Sequence, residues 1–437
     1  MTSTRLLLSA GLDRSLARAT GGSVRYLVAE VSAEGAASAP SAPLDLGLAI
    51  DVSGSMSGGK LAAAQRAARG LCAAMSPRDR LSVVAFDNRV EVLLHGRTMD
   101  DEGRDAADRA IAALHPRGGT ALFDGWLATA ERVARTMAEA PDASPRVLLL
   151  SDGHANDGLC DRGEIAVHVG ALLERGVVTS TLGVGDGYDE RLLGAMAEAG
   201  GGSLHDAAGG GEIAEVIMGE LQEGRSALVE RATLRVALPP QLRAEVVGAF
   251  AHRMLPGAIE VTVGSLLPGQ SKRVVLRLFC PAGAPGSELA IGLSADAVLP
   301  AGGLAIEARP VDAVVRLVGE RENDLQPRDL ARCLAAANAF QAEILRDTMA
   351  RVRDGDHAGA RRHVERALRR LERLARGVPG AERLLDEAAI VRRSIDENWD
   401  ERTRKEAYLM GTKFSRGERD RRAGPRGSLS DIVPPRR

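Results

Sequence analysis

Aromatic residues make up only 3% of this 437-residue chain, so any core has to be filled by Leu, Val, Ile and Ala. Cysteine is nearly as scarce. Cys72, Cys160, Cys280 and Cys333 lie far apart, with no C-x-x-C pair and no histidine at zinc spacing, which excludes a zinc site or a disulfide framework and predicts reduced thiols. No apolar run approaches the ~18 residues of a membrane-spanning helix. Arg5 and Leu6-Leu7-Leu8 begin like a leader, but Asp13, Arg14 and Arg18 interrupt before an apolar segment of signal-peptide length, so the expected location is cytoplasmic. A formal net charge of -2 argues against binding nucleic acid through the whole surface. Apolar content of 45% and charged content of 27% are those of a globular protein, long enough for two to four domains. The abundance of Ala, Gly and Arg reflects a GC-rich coding bias.

The chain is organised around Leu46-Gly47-Leu48-Ala49-Ile50-Asp51-Val52-Ser53-Gly54-Ser55-Met56, an apolar run ending in a carboxylate and two hydroxyls at alternate positions. Side chains two apart on extended backbone point the same way, so Asp51, Ser53 and Ser55 converge. Hard oxygens in that number suit Mg²⁺, which takes one or two carboxylates and keeps several waters. Gly54-Ser55-Met56-Ser57-Gly58-Gly59-Lys60 overlaps this run and starts like a phosphate-binding P-loop. Leu61 stands where that motif needs Ser or Thr, which argues against nucleotide binding.

Residues 1–22 show no sustained periodicity, and Ser23 to Ser32 reads as a strand before a small-residue linker, Ala33 to Pro43. Strands and helices then alternate: helix Lys60 to Met75, strand Leu81 to Phe86 with hairpin partner Val90 to Leu94, and helices from Asp101 and Ala121. Strands at Val147, Val177 and Ser203 follow, with helices from Asp161, Asp189 and Glu212. This order predicts a doubly wound, mostly parallel sheet with helices on both faces. Ligands bind such sheets outside the carboxyl ends of the strands. Asp51 and Asp152 end strands, and Thr120 lies in the Gly118-Gly119-Thr120 loop that opens a helix.

After Arg225 the apolar period becomes two, with Pro-Gly turn signals, which predicts a short-stranded antiparallel β-sandwich. The Ser23 to Ser32 strand completes it, so the α/β domain is an insertion. From Asp324 the pattern is helical. The expected division is an N-terminal segment with one sandwich strand (1–43), the α/β domain (44–226), the sandwich (227–320), a helical hairpin or bundle (321–405) and a flexible basic tail (406–437).

Asp51-x-Ser53-x-Ser55, Thr120 in Gly-Gly-Thr and Asp152 in Ser-Asp-Gly, in that order, resemble the metal-ion-dependent adhesion site of the von Willebrand factor A (VWA) domain. Gly183-Val184-Gly185 followed by Asp189, Leu192 and Ala197 is similar to the family's last βαβ segment. The resemblance implies that Ser53, Ser55 and Thr120 coordinate Mg²⁺, with Mn²⁺ as the alternative, and that Asp51 and Asp152 do so directly or through water. It implies a position open for a partner's Asp or Glu. The expected function is divalent-cation-dependent protein binding by a bacterial, stand-alone, cytoplasmic protein. It is not an enzyme, because no nucleophile–base pair or complete phosphate loop is present. An accessory subunit of an AAA+ ATPase such as a chelatase, and an adhesin, are the alternatives.

Several neighbours carry less. His154, Asn156 and Asp157 read as a solvated loop, Cys160 as an inert thiol, and Asp124 as a helix N-terminal charge. Gly183-Val184-Gly185-Asp186-Gly187 lacks a dinucleotide fingerprint's third glycine. Arg361, Arg362, Arg366, Arg369, Arg370 and Arg373 read as a solvated helix face, since Glu365 and Glu372 interleave and no aromatic offers a stacking platform.

Overall fold

Leu44–Asp51, LDLGLAID, is buried at every position, as a central strand covered on both faces must be. It lies in a six-stranded sheet ordered Val90–Thr98, Arg80–Phe86, Leu44–Asp51, Ser144–Ser151, Val178–Val184, Gly201–Ala207. All neighbours are parallel except the first pair, an antiparallel hairpin. The computed structural model describes residues 4–35, 42–300, 303–395 and 401–415. Linker residues 36–41 and tail residues 416–437 lie outside the described residues.

Alternation along these strands builds two cores. Leu46, Leu48 and Ile50 point with Leu148, Leu150 and Leu182 toward helices Lys60–Ala74, Asp101–Ala112 and Gly210–Ser226. Ala49, Val147 and Leu149 point the other way, toward Phe123 and Trp126 of helix Leu122–Thr136 and toward helices Arg162–Glu174 and Glu190–Ala199. Gly47 lets the first of these helices close in. A Cβ there would stand 2.7 Å from both Thr129 Cγ2 and Val133 Cγ2.

Two further sheets share one apolar core, built from Leu27, Leu276 and Leu278 on one and Leu234, Val261 and Ile291 on the other. The first is ordered Arg5–Leu12, Ser23–Glu34, Ser271–Cys280, Arg243–Val247, antiparallel throughout. Ser23–Glu34 thus pairs with chain on the far side of the α/β unit, with Val28 opposite Val275. The second is ordered His252–Leu255, Ala258–Leu266, Val229–Ala237, Glu288–Val298, Val311–Val318, Leu16–Arg18, with Ala305–Glu307 beside Glu288–Val298. Its Leu16–Arg18 pairing is parallel, where an antiparallel arrangement was expected. Residues 1–22, read as irregular, contribute Arg5–Leu12 and Leu16–Arg18; an edge strand of sequence RLLLSAGL carries no strict alternation to reveal it.

Helices Leu330–Arg353, His357–Ala375, Glu382–Ser394 and Glu401–Ser415 follow a short helix at Glu320–Leu325. The long helix begins at Leu330 under an Asp329 cap, with Pro327 outside it. Gly355 (φ +74°) and the Asp356 cap break the chain before the second. Arg361, Arg362, Arg366, Arg369, Arg370 and Arg373 are all exposed, opposite buried Ala360, Val364 and Leu371. Residues 406–415, expected in a flexible tail, instead continue the last helix. Its Ala407, Tyr408 and Leu409 are buried in the core shared with the α/β unit.

Candidate functional site

Adjacent parallel strands deliver their last residues to one edge, and Leu44–Asp51 and Ser144–Ser151 are neighbours, with Ile50 opposite Leu150. The two aspartates therefore leave the sheet side by side. Asp51 is fully buried. Its Oδ1 accepts the Ser53 backbone N–H at 2.8 Å and its Oδ2 accepts the Ser151 hydroxyl at 2.6 Å. Burial pushes this carboxyl above its ordinary value, opposed by the bonds from Ser151 and Ser53.

A single 3-10 turn, Gly54–Met56, then brings both serines back over the sheet edge. Ser55 Oγ donates to Asp152 Oδ1 at 2.7 Å. Its one proton being committed, it accepts from Ser53 Oγ at 2.9 Å. A continuous chain thus runs from Ser53 through Ser55 to Asp152.

Thr120 reaches the same place on a different loop. Gly118 has φ +64°, and a Cβ there would stand 2.5 Å from Asp87 Oδ2, so this position needs glycine. The loop is stitched to the first: Gly54 N–H donates to Gly118 O at 3.2 Å and Arg117 N–H to Val52 O at 2.6 Å. A Cβ built on Gly153 would stand 3.6 Å from both Ser55 Oγ and Thr120 Oγ1. The two hydroxyls therefore face one small volume beside the Ser151-Asp152-Gly153 turn. All five residues singled out from the sequence, Asp51, Ser53, Ser55, Thr120 and Asp152, meet at this edge.

Three residues of the site escaped sequence reasoning. Lys60 Nζ donates to Asp152 Oδ2 at 2.5 Å and to Ser55 O at 3.3 Å. Leu61 is buried in the core and has no hydroxyl, consistent with rejecting the P-loop reading that had drawn attention to Lys60. Ser151 holds Asp51. Asn156, read as part of a solvated loop, is exposed yet clamps the Thr120 peptide from both sides. Its Oδ1 accepts Thr120 N–H at 2.9 Å and its N–H donates to Thr120 O at 3.2 Å. The sequence signal for Asn156 was only its closeness to Ser-Asp-Gly.

The turn is backed by a second charged cluster. Asp189 N–H donates to Gly153 O at 3.4 Å, and the Asp189 side chain caps helix Glu190–Ala199. Burial alone would raise the Asp189 carboxyl, but Arg353 Nη1, 2.7 Å away, and the N–H groups of Leu192 and Arg191 hold it down at about 2. His154 Nδ1 lies 3.7 Å from Asp189 Oδ2 and is more than half exposed.

The donor set is chemically that of a hard cation: two buried carboxylates and three hydroxyls, without a soft ligand. Among the described residues, no basic side chain pairs with Asp51. A buried carboxylate with only neutral donors is electrostatically incomplete, so these residues fit a divalent ion.

Residues 46–154, which include all five, match the family model described as von Willebrand factor type A domain. An uncharacterized protein of Synechocystis is 30% identical over 265 residues; the alignment takes in 56% of this chain, which spans about 60% of that relative's length. A von Willebrand factor type A structure from Catenulispora acidiphila aligns over 94% of this chain and 97% of its own, with TM-score 0.73 and 20% identity. The ArnB paralog VWA2 from Sulfolobus acidocaldarius aligns over 94% and 98%, with TM-score 0.61 and 18% identity. At those identities the likeness to both structures is one of fold. Among the described residues no helix is long and apolar enough to cross a membrane. Motif order, sheet topology and matched segment agree: this chain carries a von Willebrand factor type A domain.

Proposed function

We propose that this protein binds a partner protein through a divalent cation held at the edge of the six-stranded sheet. The carrying observation is the convergence of two buried carboxylates and three hydroxyls, with no cationic partner for Asp51 among the described residues. Ser53, Ser55 and Thr120 would hold the ion with Asp51 and Asp152, the aspartates directly or through water. Mg²⁺ is the expected ion, with Mn²⁺ able to replace it. Once bound, the ion supplies a Lewis acid to which a partner's Asp or Glu adds. The protein's own residues prepare that step. Ser151 and the Ser53 N–H orient Asp51, and Asn156 fixes the Thr120 loop. Two carboxylates do not overcompensate the cation, so it retains affinity for a third.

The same reading makes the protein a non-enzymatic, cytoplasmic interaction module. Two sheets sharing one core, with Ser23–Glu34 paired to Ser271–Cys280, favour a β-sandwich interrupted by the VWA domain. The test is Mn²⁺ titration of the intact chain followed by electron paramagnetic resonance, then capture of partners in Mg²⁺ and in EDTA. One bound ion, lost in Asp51→Ala while circular dichroism is unchanged, is the expected result. Partners captured equally in Mg²⁺, in EDTA and by Asp51→Ala would defeat the proposal.

A further inference from the structure

Lysine is the rare cation of this chain: Lys60, Lys272, Lys405 and Lys413 are four among 57 basic residues, the rest being arginine. An ammonium differs from a guanidinium in being a compact, strongly hydrated point charge on a flexible stem. Lys60 occupies the first position of helix Lys60–Ala74, where the helix dipole disfavours a cation and no side chain caps the end. It is compensated by turning back to the site. Its Nζ lies 2.5 Å from Asp152 Oδ2 and 3.3 Å from Ser55 O, and its stem crosses Gly185, where a Cβ would stand 3.2 Å from Lys60 Cε. The Asp152 side chain is 0% exposed, whereas that of Lys60 is 35% exposed. The carboxylate is therefore locked in place while the ammonium has a path to solvent. Gly58 and Gly59 precede it, and a Cβ on either meets nothing within 4 Å, so the start of the helix is open.

Asp51 and Asp152 bring two negative charges to the buried edge, and Lys60 supplies one positive charge. Resting on the metal reading above, we propose that Lys60 is a tethered counter-ion that holds Asp152 in the metal-free protein and withdraws when a divalent cation arrives. Loading is then an exchange of cations. A dication and an ammonium on the same carboxylate repel, so the two occupancies oppose each other. The opposition is reciprocal: Lys60 stabilises the metal-free fold and weakens metal binding by the same factor. This keeps the edge ordered without metal and sets the ion concentration at which the partner surface forms.

The variant Lys60→Met keeps the length of the stem and removes the charge. In Mn²⁺ titrations of the full chain at fixed pH, Lys60→Met should bind about tenfold more tightly than the parent, within the range of about 5–150-fold usual for coupled sites. Its metal-free melting temperature should fall below the parent's. Equal or weaker Mn²⁺ binding by Lys60→Met overturns the exchange while leaving the metal site standing. Absence of Mn²⁺ binding by both chains overturns the exchange and the metal reading together. A second measurement needs no substitution in the chain observed. Reductive ¹³C-methylation labels the few amines, and the Lys60 signal, assigned through Lys60→Arg, should move to the position of a solvent-exposed lysine on addition of Mg²⁺. A signal that stays in place when Mg²⁺ is saturating also overturns the proposal.

Discussion

Asp45, on the same strand as Asp51, is pushed up to about 6 by burial, against the pull of the Thr136 hydroxyl and of Arg80. One of its oxygens, Oδ1, is buried without a hydrogen bond. A carboxyl raised in the folded state keeps a proton that the unfolded chain has released, so stability falls as pH rises from about 4 to about 6 and stays lower above. Asp45→Asn should flatten that slope and raise stability at pH 7 to 8 by up to about 3 kcal/mol. Urea denaturation across pH 4 to 8 checks this, and an unchanged slope would refute it. Gly47 works through space instead. Gly47→Ala places a methyl group against Thr129 and Val133, for an expected loss of about 1–3 kcal/mol. Thermal melts measure it, and Mn²⁺ affinity should stay within error. At this scale Asp51, Ser53, Ser55 and Asp152 were legible because residue spacing and strand-end position are local properties, although a 3-10 turn rather than extended alternation returns Ser55 to the edge. Lys60 and Asn156 were not, because their roles depend on loops that meet only after folding.

The helix Glu401–Ser415 shows how an element can be misread from composition. Residues 401–405 fell in the expected helical region and residues 406–415 in the expected tail, yet the whole helix forms and grips the α/β unit with charges. Lys405 is fully buried, donates to the carbonyls of Asp186 at 2.5 Å and Tyr188 at 2.6 Å, and lies 3.9 Å from the Tyr188 ring centroid. Arg404 pairs with buried Glu190, and Arg402 reaches Asp206 at 2.8 Å. Glu190 also lies 3.2 Å from Arg353 of the first long helix. Arg404→Met removes one charged bond from buried Glu190 but leaves it Arg353, and Glu190→Gln leaves Arg404 with Glu401 3.9 Å away, so each should cost about 1.5–3 kcal/mol. The double variant should cost less than the sum of the two, a coupling that a double-mutant cycle in urea reads directly. Additive losses would mean that the pair is incidental. Hydrophobic periodicity located the earlier helices well, because each buries one apolar stripe. This last one is held by partners in residues 186–206 and by the helix Leu330–Arg353, which no local window contains.

For the molecule as a whole, Ser23–Glu34 lies inside a sheet, between Arg5–Leu12 and Ser271–Cys280. If the two sheets form a sandwich interrupted by the VWA domain, residues 227–320 alone lack three of its strands, Arg5–Leu12, Leu16–Arg18 and Ser23–Glu34. Joining residues 1–35 to them through a short Gly/Ser linker should restore a cooperative melt that 227–320 alone does not show. Equal cooperativity of both chains, compared by calorimetry, would count against the interruption. The order of strands and helices from Leu44 to Arg225 followed from the sequence, since each buried strand and amphipathic helix declares itself within ten or so residues. The ending of apolar runs in Asp51 and Asp152 likewise marked the edge where a site belongs. Tertiary structure alone decided that Ser55 meets Asp152, that Ser23–Glu34 meets Ser271–Cys280, and that Lys405 closes on Tyr188. The physical reason is that local pattern encodes which face an element buries, whereas the partner that covers the face is chosen by packing and charge over the folded whole.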